Sequence, residues 1–195
     1  MRAVRGWRHV VLWRASGARA GEDRTRIAAS GAGVVICPGT EGNLGDGLAD
    51  LPGWLAADVP LTVGSDSQVT RGWAEELRWL EYGQRLGLQR RNVSARPGRQ
   101  PSTAARLFDA CVAGSARAAG LGVWGLRAGA RADFLVLDTA ASGLAGLPDA
   151  ALLDGLVFAS QGPTWREVYV AGERRVIDDA GRRERFTDTM NALWR

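Results

Sequence analysis

Two short apolar runs, inside SGAGVVICP (30–38) and LTVGSDSQV (61–69), each break off into a polar turn. A short apolar run rich in β-branched residues and bounded by Gly, Pro, Ser or Asp reads as a buried strand. The second run ends on Gly64, Ser65, Asp66 and Ser67. An acidic side chain at the carboxyl end of a buried strand is where α/β enzymes keep their chemistry. The chain is therefore expected to be an α/β protein, with Asp66 at its working end.

Helical signals follow the second strand. Thr70 is placed to cap a helix over WAEELRWLEYGQRLGL, where Trp73, Leu77 and Leu80 recur at helical spacing and Glu75 and Glu76 favour the first turn. STAARLFDACVAGSARAAGLG predicts a second helix, capped by Ser102 or Thr103 and stopped at Gly120. Between the strands, residues 39–60 read as a loop rich in Gly and Asp, with a short helix around Pro52–Ala57. From residue 125 the pattern turns to β, with an apolar run at Phe134–Leu137 and two short strands joined at Ala171–Gly172. The last segment, through Phe186, Met190, Leu193 and Trp194, reads as a helix. The first 29 residues show no period, and only Val10, Val11 and Leu12 hint at a strand.

Composition narrows the class. At 195 residues, with 46% hydrophobic and 24% charged residues, the chain has the make-up of a globular protein. No apolar run approaches the roughly 18 residues of a membrane helix, and the N-terminus lacks a signal-peptide core, so a soluble, cytoplasmic protein without membrane partners is expected. Cys37 and Cys111 do not make a disulfide framework. Every basic residue is arginine, and the net charge is +4. QRRNVSARPGR (89–99) is the most basic loop, but the arginines are not interleaved with aromatics and acidic residues accompany them, so nucleic acid is not an expected partner.

Several residues invite a functional reading. Asp66 can ligate a metal or move a proton if histidines complete the shell; it can equally be a turn or cap residue. The segment CPGTEGNLGDG (37–47) offers Glu41, Asn43 and Asp46 to a ligand, or is a glycine-rich surface loop. GLGVWG (120–125) fits a phosphate-binding pattern but follows a helix rather than a strand, the wrong context. Asn92-Val93-Ser94 matches a glycosylation acceptor with nothing to indicate secretion. His9, the single histidine, lies in an irregular segment, and the eight tryptophans are too dispersed to form a platform.

SGAGVVICPGTEGNLGDG, VGSDSQV, EELRWLEYGQRL and LFDACVAGSARAAGLG, in that order and spacing, resemble the C-terminal part of the amidohydrolase superfamily, in its formimidoylglutamate deiminase branch. GARADFLVLD and VYVAGERRV are similar to the small β-sandwich that follows the barrel in that superfamily. The resemblance implies the last strands and helices of a metal-dependent hydrolase (β/α)8 barrel plus part of a β-sandwich. It divides the chain into an irregular or non-homologous segment (1–29), the seventh and eighth strand units (30–124), part of the sandwich (125–182) and a C-terminal helix or tail (183–195). It implies hydrolysis of N-formimino-L-glutamate to N-formyl-L-glutamate and ammonia, in histidine degradation, with one divalent metal, zinc. Asp66 matches the family's metal ligand and proton shuttle after the last barrel strand, and Asn43 and Gln68 fall on the substrate loops.

The same resemblance implies metal ligands outside this sequence, on a His-x-His pair and later histidines. A barrel of this kind takes about 250 residues to close. The expectation is thus a truncated or frame-disturbed remnant that does not hold the metal and is inactive alone. The alternatives are a non-catalytic half-barrel completed by an N-terminal chain or by a homo-oligomer, and another amidohydrolase deaminase acting on a heterocycle or a guanidine.

Overall fold

A computed structural model describes residues 10–12, 20–67, 70–162, 164–176 and 179–195. Strands β1 (Val10–Leu12), β2 (Gly33–Ile36) and β3 (Leu61–Val63) form a parallel sheet in the order β1-β2-β3. Val11 pairs with Val34 and Val35 with Thr62, so the two strands read from the apolar runs lie side by side. Parallel neighbours need a crossover, and helices supply both. The first is α1 (Ala20–Ser30); α2 (Pro38–Leu44) and α3 (Leu51–Ala56) lie between β2 and β3.

Two longer helices, α4 (Trp73–Leu88) and α5 (Thr103–Ala118), close the core. Val34, Ile36, Leu51, Trp54, Leu61, Leu77, Leu80 and Leu107 are buried together. Helix α5 lies directly on β3: Gly114 packs against the Leu61 backbone, and the Thr62 and Ser115 hydroxyls share a hydrogen bond of 2.5 Å. Ser102 caps α5 by accepting from the Ala105 N–H at 3.0 Å, and Asp154 accepts from the Ala104 N–H at 3.0 Å, so two free donors of the helix end are satisfied.

The remainder is a second sheet, antiparallel, in the order β4-β5-β6: β4 (Phe134–Leu137), β5 (Trp165–Val170) and β6 (Glu173–Arg175). Ala171 (φ 54°) and Gly172 (φ 80°) make the left-handed hairpin turn the sequence indicates there. Between β4 and β5 a helical segment changes pitch, from a 3-10 turn (Asp149–Ala151) through α6 (Leu152–Asp154) to a π-helical turn (Gly155–Ala159). Arg78 of α4 donates to the carbonyls of Val157 (2.5 Å) and Ser160 at the end of that segment, supplying partners for a helix terminus. Trp73 lies between Phe108 (5.2 Å between ring centroids) and Trp165 (6.1 Å), linking the helices to the second sheet. Helix α7 (Asp179–Leu193) ends the chain with Phe186, Leu193 and Trp194 exposed.

Three sequence expectations need correction. The opening 29 residues, expected to be irregular apart from a hint of strand at Val10–Leu12, hold that strand as β1 and also most of α1; arginine and acidic residues hide the helical period of α1, and Arg24 is held by an ion pair with Asp50. Residues 38–44, expected as loop, form α2. Its glycines disfavour a helix, but Pro38 sits in its first turn and Gly45 (φ 73°) ends it with a left-handed turn. Helix α4 is capped by Gly72 rather than Thr70 and begins at Trp73.

Candidate functional site

The carboxyl ends of β2 and β3 open beside each other, and the polar residues that follow them gather there. Cys37 leaves β2 and Gly64 leaves β3; a Cβ on Gly64 would stand 3.4 Å from the Cys37 sulfur. The Thr40 hydroxyl on α2 donates to the Ser65 carbonyl at 2.7 Å and ties the two strand ends together. Asp66 is exposed in the turn after β3, with φ 49°, a left-handed conformation that Asp tolerates better than most residues.

Two buried glutamates complete the arrangement. Glu41 accepts from the Cys37 N–H at 3.3 Å, and Glu76 of α4 accepts from the Gly39 N–H at 2.9 Å. Both donors sit at the start of α2, where backbone N–H groups have no partner within the helix and a carboxylate also complements the dipole. Burial pushes both carboxyl groups above their ordinary 4.5; hydrogen bonds from the backbone pull back only partly. Burial, followed by the charges of Asp66, Glu41 and Glu76, pushes the Cys37 thiol up to about 11. The site is therefore acidic in charge, and its thiol stays protonated near neutrality.

A measurable consequence follows from the sign of the glutamate shifts. A native carboxyl raised above its unfolded value holds a proton that the unfolded chain has released. Its stabilising share is complete below about 4.5 and is lost as pH climbs through the raised native value. Urea midpoints are expected to fall over that window, and to fall less in Glu76→Gln, which keeps an acceptor for the Gly39 N–H. A midpoint that rises with pH there, or a slope unchanged in Glu76→Gln, contradicts the assignment.

The residues singled out from sequence are only partly brought together. Asp66 stands near enough to Cys37 for its charge to act on the thiol, and Glu41 is part of the cluster. Asn43 lies exposed on α2, past the buried first turn. Gln68 and His9 lie outside the described residues. Cys37, Thr40 and Glu76 were not legible as site residues; the one signal was register, since Glu76 follows Trp73 by three and precedes Leu80 by four, on the apolar face. Among the described residues no group of three or more His, Cys, Asp or Glu is placed to hold a metal ion. Asp66 has no histidine there to share a metal with, so the residues described do not fit the zinc that the sequence resemblance implies. No helix among the described residues is long and apolar enough to cross a membrane.

The sequence profile of the Amidohydrolase family matches residues 8–175, and the chain belongs to that family. Among individual proteins, it is 45% identical over 153 residues to formimidoylglutamate deiminase from Pseudomonas aeruginosa, covering 78% of this chain and 33% of that enzyme. It is 30% identical over 163 residues to an isoxanthopterin deaminase from an unknown prokaryotic organism, again covering 78% of this chain and 33% of the relative. The crystal structure of an amidohydrolase from Brucella melitensis superposes with a TM-score of 0.83 at 34% identity, over 95% of this chain and 41% of that one. The chain thus spans about a third of the length of the curated relatives it matches. The family match begins at residue 8, inside the segment expected from sequence to be irregular or non-homologous.

Proposed function

We propose that this chain corresponds to the C-terminal part of a formimidoylglutamate deiminase-like amidohydrolase. In this reading residues 30–124 are the seventh and eighth strand units of a (β/α)8 barrel, residues 125–182 are part of the β-sandwich, and residues 183–195 are a tail. Strand β1 then takes the place of the preceding barrel strand. The whole enzyme converts N-formimino-L-glutamate and water to N-formyl-L-glutamate and ammonia, a step of histidine degradation in the cytoplasm. The observation that carries the reading is the 45% identity to formimidoylglutamate deiminase, against 30% to isoxanthopterin deaminase over the same share of the chain.

In the whole enzyme Asp66 is the carboxylate that meets the divalent metal and the reacting proton, with Asn43 and Gln68 on the loops facing the substrate. The chain by itself has no such centre among its described residues, and no metal-dependent step is derived for it. The expected result is that the purified chain releases no ammonia from formiminoglutamate, with or without added zinc. Co-expression with an N-terminal amidohydrolase segment bearing His-x-His is expected to restore release, and Asp66→Asn in that complex to abolish it. Chelator-sensitive release by the chain alone overturns its inactivity. A complex that deaminates isoxanthopterin and not formiminoglutamate overturns the substrate.

A further inference from the structure

The most basic loop of the sequence has no part in the chemistry at the strand carboxyl ends; it folds over a cleft at the opposite end of β3. Arg96 and Gln100 close a tight turn on themselves: the Arg96 N–H donates to the Gln100 carbonyl at 2.9 Å and the Gln100 N–H to the Arg96 carbonyl at 2.8 Å. Gly98 at φ 77° supplies the left-handed residue this turn requires. The turn brings Arg96 and Gln100 to the rim of a cavity of about 420 Å³ floored by Pro60 and Leu61, where β3 begins. Helix α5 lines the other wall with Arg106, Asp109 and Arg117.

Arg106 is the unusual member. It is 9% exposed, its guanidinium makes no ion pair or hydrogen bond among the described residues, and what access its nitrogens keep is through the cleft. An arginine stays charged near neutrality even so, and its five donors in a largely buried cleft favour an anionic or carbonyl partner. The carboxylates nearby do not meet the need. Asp109 accepts from Gln100 at 2.7 Å, and Asp58, also on the cavity wall, is exposed. Burial, with the added positive charge of Arg96 and Arg99, disfavours the charged form of Arg106. Arg117 donates to the Gly31 carbonyl at 3.3 Å, with further donors left over.

We infer that this cleft is a binding site for a small dianionic oxyanion, a phosphate ester or a dicarboxylate, gripped by Arg106 with Arg96 and Arg117 at the rim. The planar fork of arginine matches two oxygens of such a group, and charge-assisted bonds of this kind are the strong ones. Leu55, Val59 and Ala110 on the same walls leave room for an apolar or neutral body behind the charged head. The site lies at the amino end of β3, away from Asp66, and is independent of the reading of the carboxyl ends.

Calorimetric titration of the intact chain with inorganic phosphate and, separately, with succinate tests this, against chloride at matched ionic strength. Saturable binding of either is expected, and their ratio tells which head group the site prefers. Arg106→Met is expected to weaken it roughly tenfold or more, the loss of a bidentate charged contact. If Arg106→Met does not fold, Arg96→Ala and Arg117→Ala, both at the rim, decide the matter by weakening binding several-fold, while the exposed Arg127→Ala leaves it unchanged. Absence of binding beyond the chloride control, or binding equal in the cleft variants and Arg127→Ala, overturns the proposal.

Discussion

Replacing Glu81 by alanine is expected to destabilise the chain by about 3–5 kcal/mol, the range for removing one partner of a buried charged network. Glu81 is fully buried in α4, and its two oxygens hold four donors. Oε1 accepts from Arg85 Nε at 2.9 Å and the Val93 N–H at 2.8 Å; Oε2 accepts from the Ser94 N–H at 3.1 Å and the Ser94 hydroxyl at 2.6 Å. Those bonds pin the loop after α4, in which Gln89 (φ 52°) and Asn92 (φ 51°) occupy left-handed conformations. Arg85 in turn lies 4.9 Å from the Phe158 ring and 5.2 Å from the Tyr82 ring, so the loss propagates to the helical segment before β5. Domains hold about 5–15 kcal/mol in all, so Glu81→Ala removes a large part of the margin. Glu81→Gln preserves one acceptor oxygen and is expected to fall between wild type and alanine. Urea unfolding at neutral pH reads the order; an alanine variant within about 1 kcal/mol of wild type contradicts it.

The second large effect is steric. A methyl group on Gly114 would stand 2.0 Å from the Leu61 carbonyl oxygen and 2.6 Å from its carbon. These are backbone atoms of β3, so no side-chain rotation relieves the clash, and α5 must move away from the sheet. Overpacking of this kind costs about 1–3 kcal/mol and sometimes more, while a helical Gly→Ala change by itself gains ~1 kcal/mol. Gly114→Ala is expected to be a net loss of about 1–2 kcal/mol, lowering the thermal midpoint by about 2–4 °C for each kcal/mol. Gly122→Ala, where a Cβ meets nothing within 4 Å, is the control and is expected to be near neutral. A Gly114→Ala protein as stable as that control would show that α5 is not seated on β3 as described.

The features legible in the sequence were those fixed by local chemistry. The runs at 33–36 and 61–63 became neighbouring strands, Ser102 became the cap of α5, and Ala171–Gly172 became a hairpin turn, because each is decided within a few residues. Helix α2 was not legible, since GTEGNLG lacks helical propensity and its first turn is completed by Glu76 from 37 positions away. The same limit applied to the site. Asp66 announced itself by standing after a strand, whereas Glu76 and Glu81 looked like ordinary polar members of an amphipathic helix. Only the position of Glu76 in step with Trp73 and Leu80, and of Glu81 four residues after Leu77, marks them as inward-facing. Apart from Arg85, what they bind comes from other segments, and a single sequence carries no record of that. The cleft beside Arg106 was hidden for the same reason: its walls come from the RPGR turn, the start of β3 and α5, which only the fold sets face to face.

The three-stranded parallel sheet has a consequence for how such a chain can be divided and joined. A strand bonds only to its immediate neighbours, and here α1 to α5 come from the same stretch of sequence as the strands they cover. Separating this stretch from further parallel strands, however many, exposes the same two rows of backbone groups, the outer edges of β1 and β3. One strand docked on each side would satisfy both. A stretch bounded this way joins its surroundings at two strand edges and at the helical segment before β5, which adds Val157 to its core and the Asp154 carboxylate to the start of α5.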